Sequence, residues 1–99
     1  MSNHRDRALL DLAHAVHECQ SCGAYVSCGC EPCHANWSDY GKGMGIKAHD
    51  WAHAAMCHDC HMAIDQGGVF TREERREKWE QAFKRTLSLY FRNKWLKVA

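Results

Sequence analysis

The sequence predicts a single small α+β domain, residues 1–99, whose metal-stapled core lies between an N-terminal and a C-terminal helix. Three observations lead to this fold class. Leu, Ile, Val and Phe together number only 15, whereas a domain of this length buries only about 60–65% of its unfolded surface and usually needs a cross-link or a metal. Seven Cys and eight His residues offer such a cross-link. Segments with helical periodicity lie on both sides of the Cys-rich middle.

The N-terminal helix is predicted over residues 3–17. Apolar side chains recur there at helical spacing and would share one face of the helix: Ala8, Leu9, Leu12, Ala13 and Val16. His14 and His17 flank this stripe, and we expect both at the surface.

The core is predicted over residues 19–67. Its Cys- and Gly-rich start, 19–37, is typical of a metal knuckle followed by a short strand or hairpin, with Tyr25 and Val26 as β-forming residues. Residues 38–50 contain three glycines at alternate positions, which predicts a loop.

The glycine-rich loop lacks the residue spacing of a P-loop. Its two lysines, Lys42 and Lys47, either contact phosphate groups or belong to a flexible connector. After the loop, the short apolar run 51–56 predicts a strand that enters the second Cys pair. Residues 57–66 then predict the start of a helix, which the following glycine pair ends.

The C-terminal helix, predicted over residues 71–92, is the clearest element. Thr71 and Glu74 have the spacing of a capping box, and the acidic first turn suits the positive helix N-terminus. One face of this helix is apolar: Trp79, Ala82, Phe83, Thr86, Leu87, Tyr90 and Phe91. The other faces are largely basic: Arg72, Arg75, Arg76, Lys78, Lys84 and Arg85. Residues 94–99 alternate in polarity and predict a short edge strand.

Charge is unevenly distributed along the chain. Residues 1–60 contain four Lys or Arg and seven Asp or Glu, whereas residues 61–99 contain nine and five. A basic end on a chain of net charge +1 favours contact with nucleic acid, with Lys84 and Arg85 as candidate contacts. The alternative is an ordinary solvated helix face.

The N-terminal residues lack the apolar region of a secretory signal, and the chain lacks an apolar run long enough for a transmembrane helix. We therefore expect a cytoplasmic protein without a membrane partner. In that reducing setting, closely spaced Cys residues indicate metal sites rather than disulfides.

Two Cys pairs, Cys19 with Cys22 and Cys57 with Cys60, have the C-x-x-C spacing of zinc knuckles. Four thiolates at about 2.3 Å close a tetrahedral shell around Zn²⁺. A closed shell has no open position, so we expect a structural zinc ion whose binding energy contributes to folding.

Three Cys residues remain, Cys28, Cys30 and Cys33, and His34 follows them. One interpretation is a second zinc site with His34 as the fourth ligand. The other is that all three are free thiols, with Cys33 partly buried.

The chain also contains two C-x-x-C-H pentads, at residues 30–34 and 57–61. This pentad is the attachment sequence of c-type haem, and two copies would indicate a small dihaem cytochrome. Haem attachment normally requires export, which the sequence does not predict. That interpretation also leaves the first Cys pair unexplained.

The order of the motifs is a Cys pair, a lone His, a glycine-rich loop, a polar residue and then C-x-x-C-H. The segments are CHANW (33–37), GKGMGIKAHD (41–50) and CHDCHMAID (57–65), and the pattern spans about half of the chain. This order resembles the HNH (ββα-metal) endonuclease superfamily in its zinc-stapled form, and most of all the prophage-encoded YbcO-type nucleases. The resemblance implies a ββα-metal core with flanking helices and a metal-dependent DNA endonuclease or nickase.

The resemblance also implies roles for individual residues. His34 matches the general base that activates water against the scissile phosphate. His61 matches the ligand of a catalytic divalent cation, Mg²⁺ or Mn²⁺, and Asp65 lies one turn further along the same helix face as a second ligand. Asp50 lies near the position of the central Asn, which holds the loop and orients the base.

Two positions depart from the family pattern. Cys33 precedes the first His where the family often has Asp, and a thiol suits a softer ion than Mg²⁺. The central residue is Asp50 or His49 rather than Asn, so the ligand set stays open.

The alternative to an enzyme is a non-catalytic zinc-binding module that presents its basic helix to DNA or to a protein partner. For either function we expect DNA contact with weak or no sequence specificity, because no segment resembles a base-reading helix. The resemblance implies a phage or prophage protein of recombination, replication or packaging that acts in the bacterial cytoplasm.

Overall fold

The protein has a small α+β fold, and the computed structural model describes residues 3–98. Three α-helices and one two-stranded antiparallel sheet make up its regular structure in that range. In chain order they are α1 (Arg7–Asp11), β1 (Glu31–His34), β2 (His53–Met56), α2 (His58–Asp65) and α3 (Arg72–Arg92). Two short 3₁₀ turns lie at Leu12–Ala15 and Ser38–Tyr40.

The hairpin of β1 and β2 is the centre of the fold. Glu31 pairs with Met56 at one end of the register, and His34 pairs with His53 at the other. All four residues of β2 are buried because α3 covers this strand. A hydrogen bond from the Ala55 N–H to the Thr86 hydroxyl, 3.0 Å, fastens α3 to the edge of the sheet.

Helix α3 confirms the predicted capping box and most of the predicted apolar face. The Thr71 hydroxyl accepts from the Glu74 N–H at 3.1 Å, and the Glu74 carboxylate accepts from the Thr71 N–H at 2.9 Å. Four side chains of the apolar face are buried: Trp79, Ala82, Thr86 and Tyr90. Phe91, at the end of the face, is about half exposed because the helix extends beyond the sheet there.

The N-terminal helix is much shorter than the predicted 3–17. Helix α1 begins only after Asp6, whose carboxylate caps it by accepting from the Leu9 N–H at 3.1 Å. The residues before Asp6 instead hydrogen-bond to the glycine-rich loop, and Val16 has extended backbone angles that end the 3₁₀ turn. The predicted N-terminal helix is therefore confirmed over only about two turns, which α1 and the following 3₁₀ turn form.

The short strand expected after the first knuckle, within 19–37, is confirmed as β1, whereas Tyr25, a residue expected to form it, makes only a single bridge to Glu18. A second predicted strand is absent from the described residues. Residues 94–98 contain no strand, because Lys94 adopts a left-handed φ of 59° that turns the chain back after α3. The strand expected within 51–56 and the helix expected after Cys57 are confirmed as β2 and α2.

Of the helices within residues 3–98, none combines the length and the apolar character that crossing a membrane requires.

Candidate metal centres

The two C-x-x-C pairs converge. One sulfur from each of Cys19, Cys22, Cys57 and Cys60 lies within 4.8 Å of every other. The sulfurs of Cys22 and Cys57 are 3.9 Å apart, close to the about 3.8 Å that separates two thiolates on a tetrahedral zinc ion. This four-cysteine cluster therefore has the donors and the spacing for one structural Zn²⁺.

Backbone geometry forms the first half of the cluster. The Cys19 carbonyl accepts from the Gly23 N–H at 2.8 Å, and the Cys22 N–H points at the Cys19 sulfur at 3.4 Å. Gly23 has φ +79°, a left-handed angle that closes this tight turn without strain. The second half belongs to α2, where Cys57 is the N-cap residue and Cys60 lies in the first turn.

The thiols of the cluster differ in their readiness to ionise. Burial opposes ionisation of Cys19, but backbone N–H donors of the knuckle and of Cys57 outweigh it and lower the pKa of Cys19 to about 7. Burial raises the pKa of Cys60, and hydrogen bonding with Cys57 and the negative charge of Cys19 raise it further. Such crowded thiols can all ionise only around a cation, which is the behaviour expected of a metal shell.

The remaining cysteines do not form a second shell of this kind. Cys28 is exposed, whereas Cys30 and Cys33 are completely buried, so the expectation of a partly buried Cys33 is wrong. In the described part of the chain, Cys28 and Cys30 belong to no group of converging metal donors. His34 also has a different partner, as described next. Burial of Cys30 and Cys33, and use of Cys57 and Cys60 in the cluster, disfavour covalent haem attachment.

His34 forms a hydrogen-bonded pair with Asp50. Its Nε2 lies 2.9 Å from Asp50 Oδ1, across a sequence separation of 16 residues. A carboxylate accepts at this contact, so the proton lies on Nε2 and the lone pair on Nδ1. The imidazole remains partly exposed, at 19% for the side chain. The neighbouring His49 has another role, because its Nδ1 accepts from the His4 N–H and its ring stacks on Trp51.

The N-terminal segment holds Asp50 in place. The Asp6 N–H donates to Asp50 Oδ2 at 2.7 Å, and the Arg5 guanidinium lies 3.3 Å from Oδ1. Arg5 also donates to the Ala48 carbonyl at 2.6 Å. Burial acts to raise the pKa of Asp50, but the hydrogen bonds from His34 and Asp6 and the positive charge of Arg5 outweigh it and lower the pKa. Asp50 is therefore a buried, ionised carboxylate with a fixed orientation.

A second group of metal donors lies between β1 and α2. One donor atom from each of Cys33, His61 and Asp65 lies within 4.8 Å of the others. His61 Nε2 is 3.0 Å from an Asp65 carboxylate oxygen, as the i, i+4 spacing predicts. His61 Nδ1 faces the other way, 2.7 Å from Glu31 Oε1.

The charges around His61 favour a bound cation. The hydrogen bond to Asp65 raises the pKa of His61 against the effect of burial, and the hydrogen bond to Glu31 adds to the increase. Burial acts to raise the pKa of Glu31, but hydrogen bonds from His61 and His58 outweigh it, so the pKa is lowered. Two carboxylates therefore flank one imidazole, an arrangement that places a proton or a metal ion there.

His34 and the His61–Asp65 pair line one open cleft of about 470 Å³. Lys42, Lys47 and Arg7 line the same cleft and give its rim positive charge. The two other candidate DNA contacts lie elsewhere. Lys84 lines a groove along α3 that also contains three glutamates, and Arg85 donates to the Gln20 carbonyl near the four-cysteine cluster.

Three residues of this region were missed as site residues by the sequence interpretation. Glu31 contacts His61 across 30 residues and could have been found only from the period-two alternation that places it on the strand face of Cys33. Cys33 was noted as a departure but was not expected to converge with His61. No local sequence pattern indicates a role for Arg5, because its partners lie more than 40 residues away in the sequence.

Comparisons with protein-family models, with curated proteins and with solved structures gave no match for this chain.

Proposed function

We propose that the protein is a metal-dependent DNA endonuclease or nickase of HNH type, with β1, β2 and α2 as its ββα-metal core. The single observation that supports this proposal most is the shared cleft, in which a carboxylate-oriented histidine faces a histidine–aspartate pair. A base and a cation site within one open cleft are the two parts that hydrolysis of a phosphodiester requires.

In the proposed reaction, His34 is the general base. Asp50 keeps the proton on Nε2, so Nδ1 can take the proton of an attacking water molecule. The water oxygen forms a bond to phosphorus while the bond from phosphorus to the 3′ oxygen breaks. The products are a 5′ phosphate and a 3′ hydroxyl, which takes its proton from solvent.

His61 and Asp65 would hold the divalent cation, which the resemblance implies to be Mg²⁺ or Mn²⁺. Such an ion stabilises the negative charge that develops on the phosphate and on the leaving oxygen. Glu31 orients His61 by accepting from its Nδ1–H, which directs Nε2 toward Asp65 and the cleft.

Lys42, Lys47 and Arg7 would bind the DNA backbone at the rim of the cleft. Contacts of this kind depend on phosphate charge and not on base identity, so we expect weak or no sequence specificity. Fluorescence anisotropy with duplexes of unrelated sequence should give similar affinities that fall as salt is raised. Binding that does not weaken between low and moderate salt would contradict this part of the proposal.

Cleavage of supercoiled plasmid tests the proposed activity. The wild type, His34→Ala and a control, His14→Ala, are compared with Mg²⁺, Mn²⁺ or EDTA. His14 is an exposed histidine outside the cleft, so its variant should nick like the wild type. Loss of a general base typically slows a reaction about 10²–10⁴-fold, so His34→Ala should lose nicking at that scale while keeping its fold.

The outcomes separate the proposal from the non-catalytic alternative. Metal-dependent nicking by the wild type and by His14→Ala alone supports the proposal and His34 as base. Equal nicking by His34→Ala would contradict the assignment of the base. DNA binding without nicking in either metal would favour the zinc-binding module.

A further inference from the structure

The second group of donors does not match a magnesium ion. It consists of one sulfur, one imidazole nitrogen and one carboxylate oxygen, from Cys33, His61 and Asp65. Mg²⁺ binds oxygen ligands almost alone, whereas thiolate and imidazole ligands select zinc and related transition metals. The donor chemistry therefore disagrees with the ion that the HNH resemblance implies.

We propose that the cleft binds a transition-metal ion of the zinc class through Cys33 Sγ, His61 Nε2 and Asp65, in preference to Mg²⁺. The site itself stands on these three residues, and only its catalytic role rests on the proposed nuclease function.

The spacing of the two polar donors supports this site. Two ligands about 2.0 Å from a tetrahedral ion lie about 3.3 Å apart, and His61 Nε2 lies 3.0 Å from Asp65 Oδ2. An ion can thus enter between them with a shift of a few tenths of an ångström. The sulfur of Cys33 lies within 4.8 Å of one donor atom of each of these two residues, so a metal ion would draw it closer to them.

The surroundings of the three donors hold them in place. The Trp79 indole N–H donates to the Cys33 carbonyl at 2.8 Å, which fixes this strand residue against α3. Glu31 accepts from His61 Nδ1–H and leaves Nε2 as the nitrogen that can bind metal, a carboxylate–histidine–metal arrangement.

The site has an open side. Cys33 is completely buried, whereas the Asp65 side chain is 43% exposed and lines the cleft together with His61. Three protein ligands with a free fourth position are typical of catalytic zinc, in contrast to the closed four-cysteine cluster. Water or a phosphate oxygen would take that fourth position.

Metal stoichiometry tests the proposal without DNA. The full chain is stripped of metal, reconstituted with excess Zn²⁺, freed of loosely bound ions and analysed by elemental analysis. We expect two zinc ions per chain for the wild type and for Cys28→Ser, whose exposed thiol lies outside both groups. Cys33→Ser and Asp65→Ala should each keep one, with affinity for the second ion reduced by about 100-fold or more.

Cobalt provides a second readout of the sulfur ligand. Titration of the stripped chain with Co²⁺ should give thiolate-to-cobalt charge-transfer absorption in two steps for the wild type, and in one step for Cys33→Ser. Mg²⁺ in large excess should leave both steps unchanged. Asp65→Ala keeps the proposal testable if Cys33→Ser does not fold, because Asp65 lies at the surface end of α2.

Two results would overturn the proposal: a wild type that binds only one zinc ion, or variants at Cys33 and Asp65 that bind two with unchanged affinity. Displacement of the second Co²⁺ by Mg²⁺ would do the same. Failure of this site is distinguishable from failure of the nuclease proposal. Two bound ions without plasmid nicking would refute only the nuclease, whereas one bound ion with Mg²⁺-dependent nicking would refute only this site.

Discussion

The two candidate metal centres both take donors from α2 but differ in the type of donor, in the number of donors and in exposure. The four-cysteine cluster offers four identical donors, which would leave a tetrahedral ion no open coordination position. The cleft group offers three different donors, one of them 43% exposed. Cys60 and His61 are adjacent in the sequence and belong to different centres, because successive residues of a helix point about 100° apart.

The two groups of donors show how a small chain with few large apolar residues can position a reactive site. A zinc ion in the four-cysteine cluster, the closed centre, would cross-link the first knuckle to the start of α2, and the same helix presents His61 and Asp65 to the cleft. Such an ion would therefore stabilise the fold that the cleft group, the open centre, needs. Variants that affect one centre without the other test this difference.

Removal of one ligand of the closed centre should unfold the domain. Structural zinc contributes about 10 kcal/mol or more of binding energy that is also folding energy, so Cys60→Ala or Cys57→Ala should abolish the cooperative thermal transition. Far-UV circular dichroism and calorimetry measure this effect. The matched control is Cys28→Ser, which should melt like the wild type. A Cys60→Ala protein with native spectrum and melting temperature would refute the structural role of zinc.

Loss of the partner of His61 should weaken the open centre and leave the fold intact. Glu31→Gln keeps the size of the side chain but removes the charge that orients His61 through Nδ1. Loss of such a partner typically costs 10–100-fold in metal affinity, which a competitive chelator titration measures. His58 also contacts Glu31 but is largely exposed, so His58→Gln is the control and should change affinity little. Equal losses in both variants would contradict the assignment.

A similar difference in exposure separates the cross-strand pair His34 and His53 of the hairpin. His34 is partly exposed, whereas His53 is buried between the Asp50 carbonyl and the Tyr90 hydroxyl. Burial lowers the pKa of His53, so the folded state holds it neutral. Its contribution to stability is complete above its unfolded pKa, about 6.5, and is lost as pH falls toward the folded value.

We therefore expect His53→Gln to flatten the acid side of the stability profile. The wild type should lose at most about 1.4 kcal/mol per pH unit through this group below pH 6.5 or so. Urea unfolding of both proteins at several pH values measures the difference in slope, and the metal centres contribute equally to both. Parallel profiles for the two proteins would show that His53 titrates alike in the folded and unfolded chain.

The smallest effect is expected at Arg5. Its side chain is 46% exposed, so its ion pair with Asp50 should contribute about 1 kcal/mol or less to stability. Arg5→Met should lower kcat for nicking less than tenfold or so, with KM for plasmid unchanged, because it loosens Asp50 without touching DNA. Arg92→Met, remote from Asp50, is the control. A change in KM alone would indicate that Arg5 binds DNA instead.

The sequence was sufficient where local chemistry decides the structure. C-x-x-C spacing forms a knuckle by itself, and the Thr71–Glu74 box caps α3 through contacts three residues apart, so both were predicted correctly. The convergence of the two Cys pairs was also predicted, because one metal ion accounts for both.

Sequence reasoning failed where distant partners decide the structure. Residues 3–6 have helical neighbours but hydrogen-bond to the loop at 41–50, which is why α1 begins late. Strand β1 contains Pro32, an unfavourable strand residue that is tolerated here because β1 is an edge strand of a two-stranded sheet. Glu31 and Cys33 join His61 only through the register of that strand, and register cannot be read from residue spacing.

The zinc-closed loop between the two knuckles has a consequence for the order in which the chain assembles. Cys22 and Cys57 are 35 residues apart, and closing a loop of this length has an entropic cost that local contacts do not offset. Glu31 pairs with Met56 next to the second knuckle, at the end of the loop where the two knuckles meet. Closure of the loop should therefore nucleate the strand pairing and the cluster together. Refolding after denaturation should then proceed at a rate set by the supply of free metal, and a metal-starved chain should stay unfolded, as Cys60→Ala is expected to do.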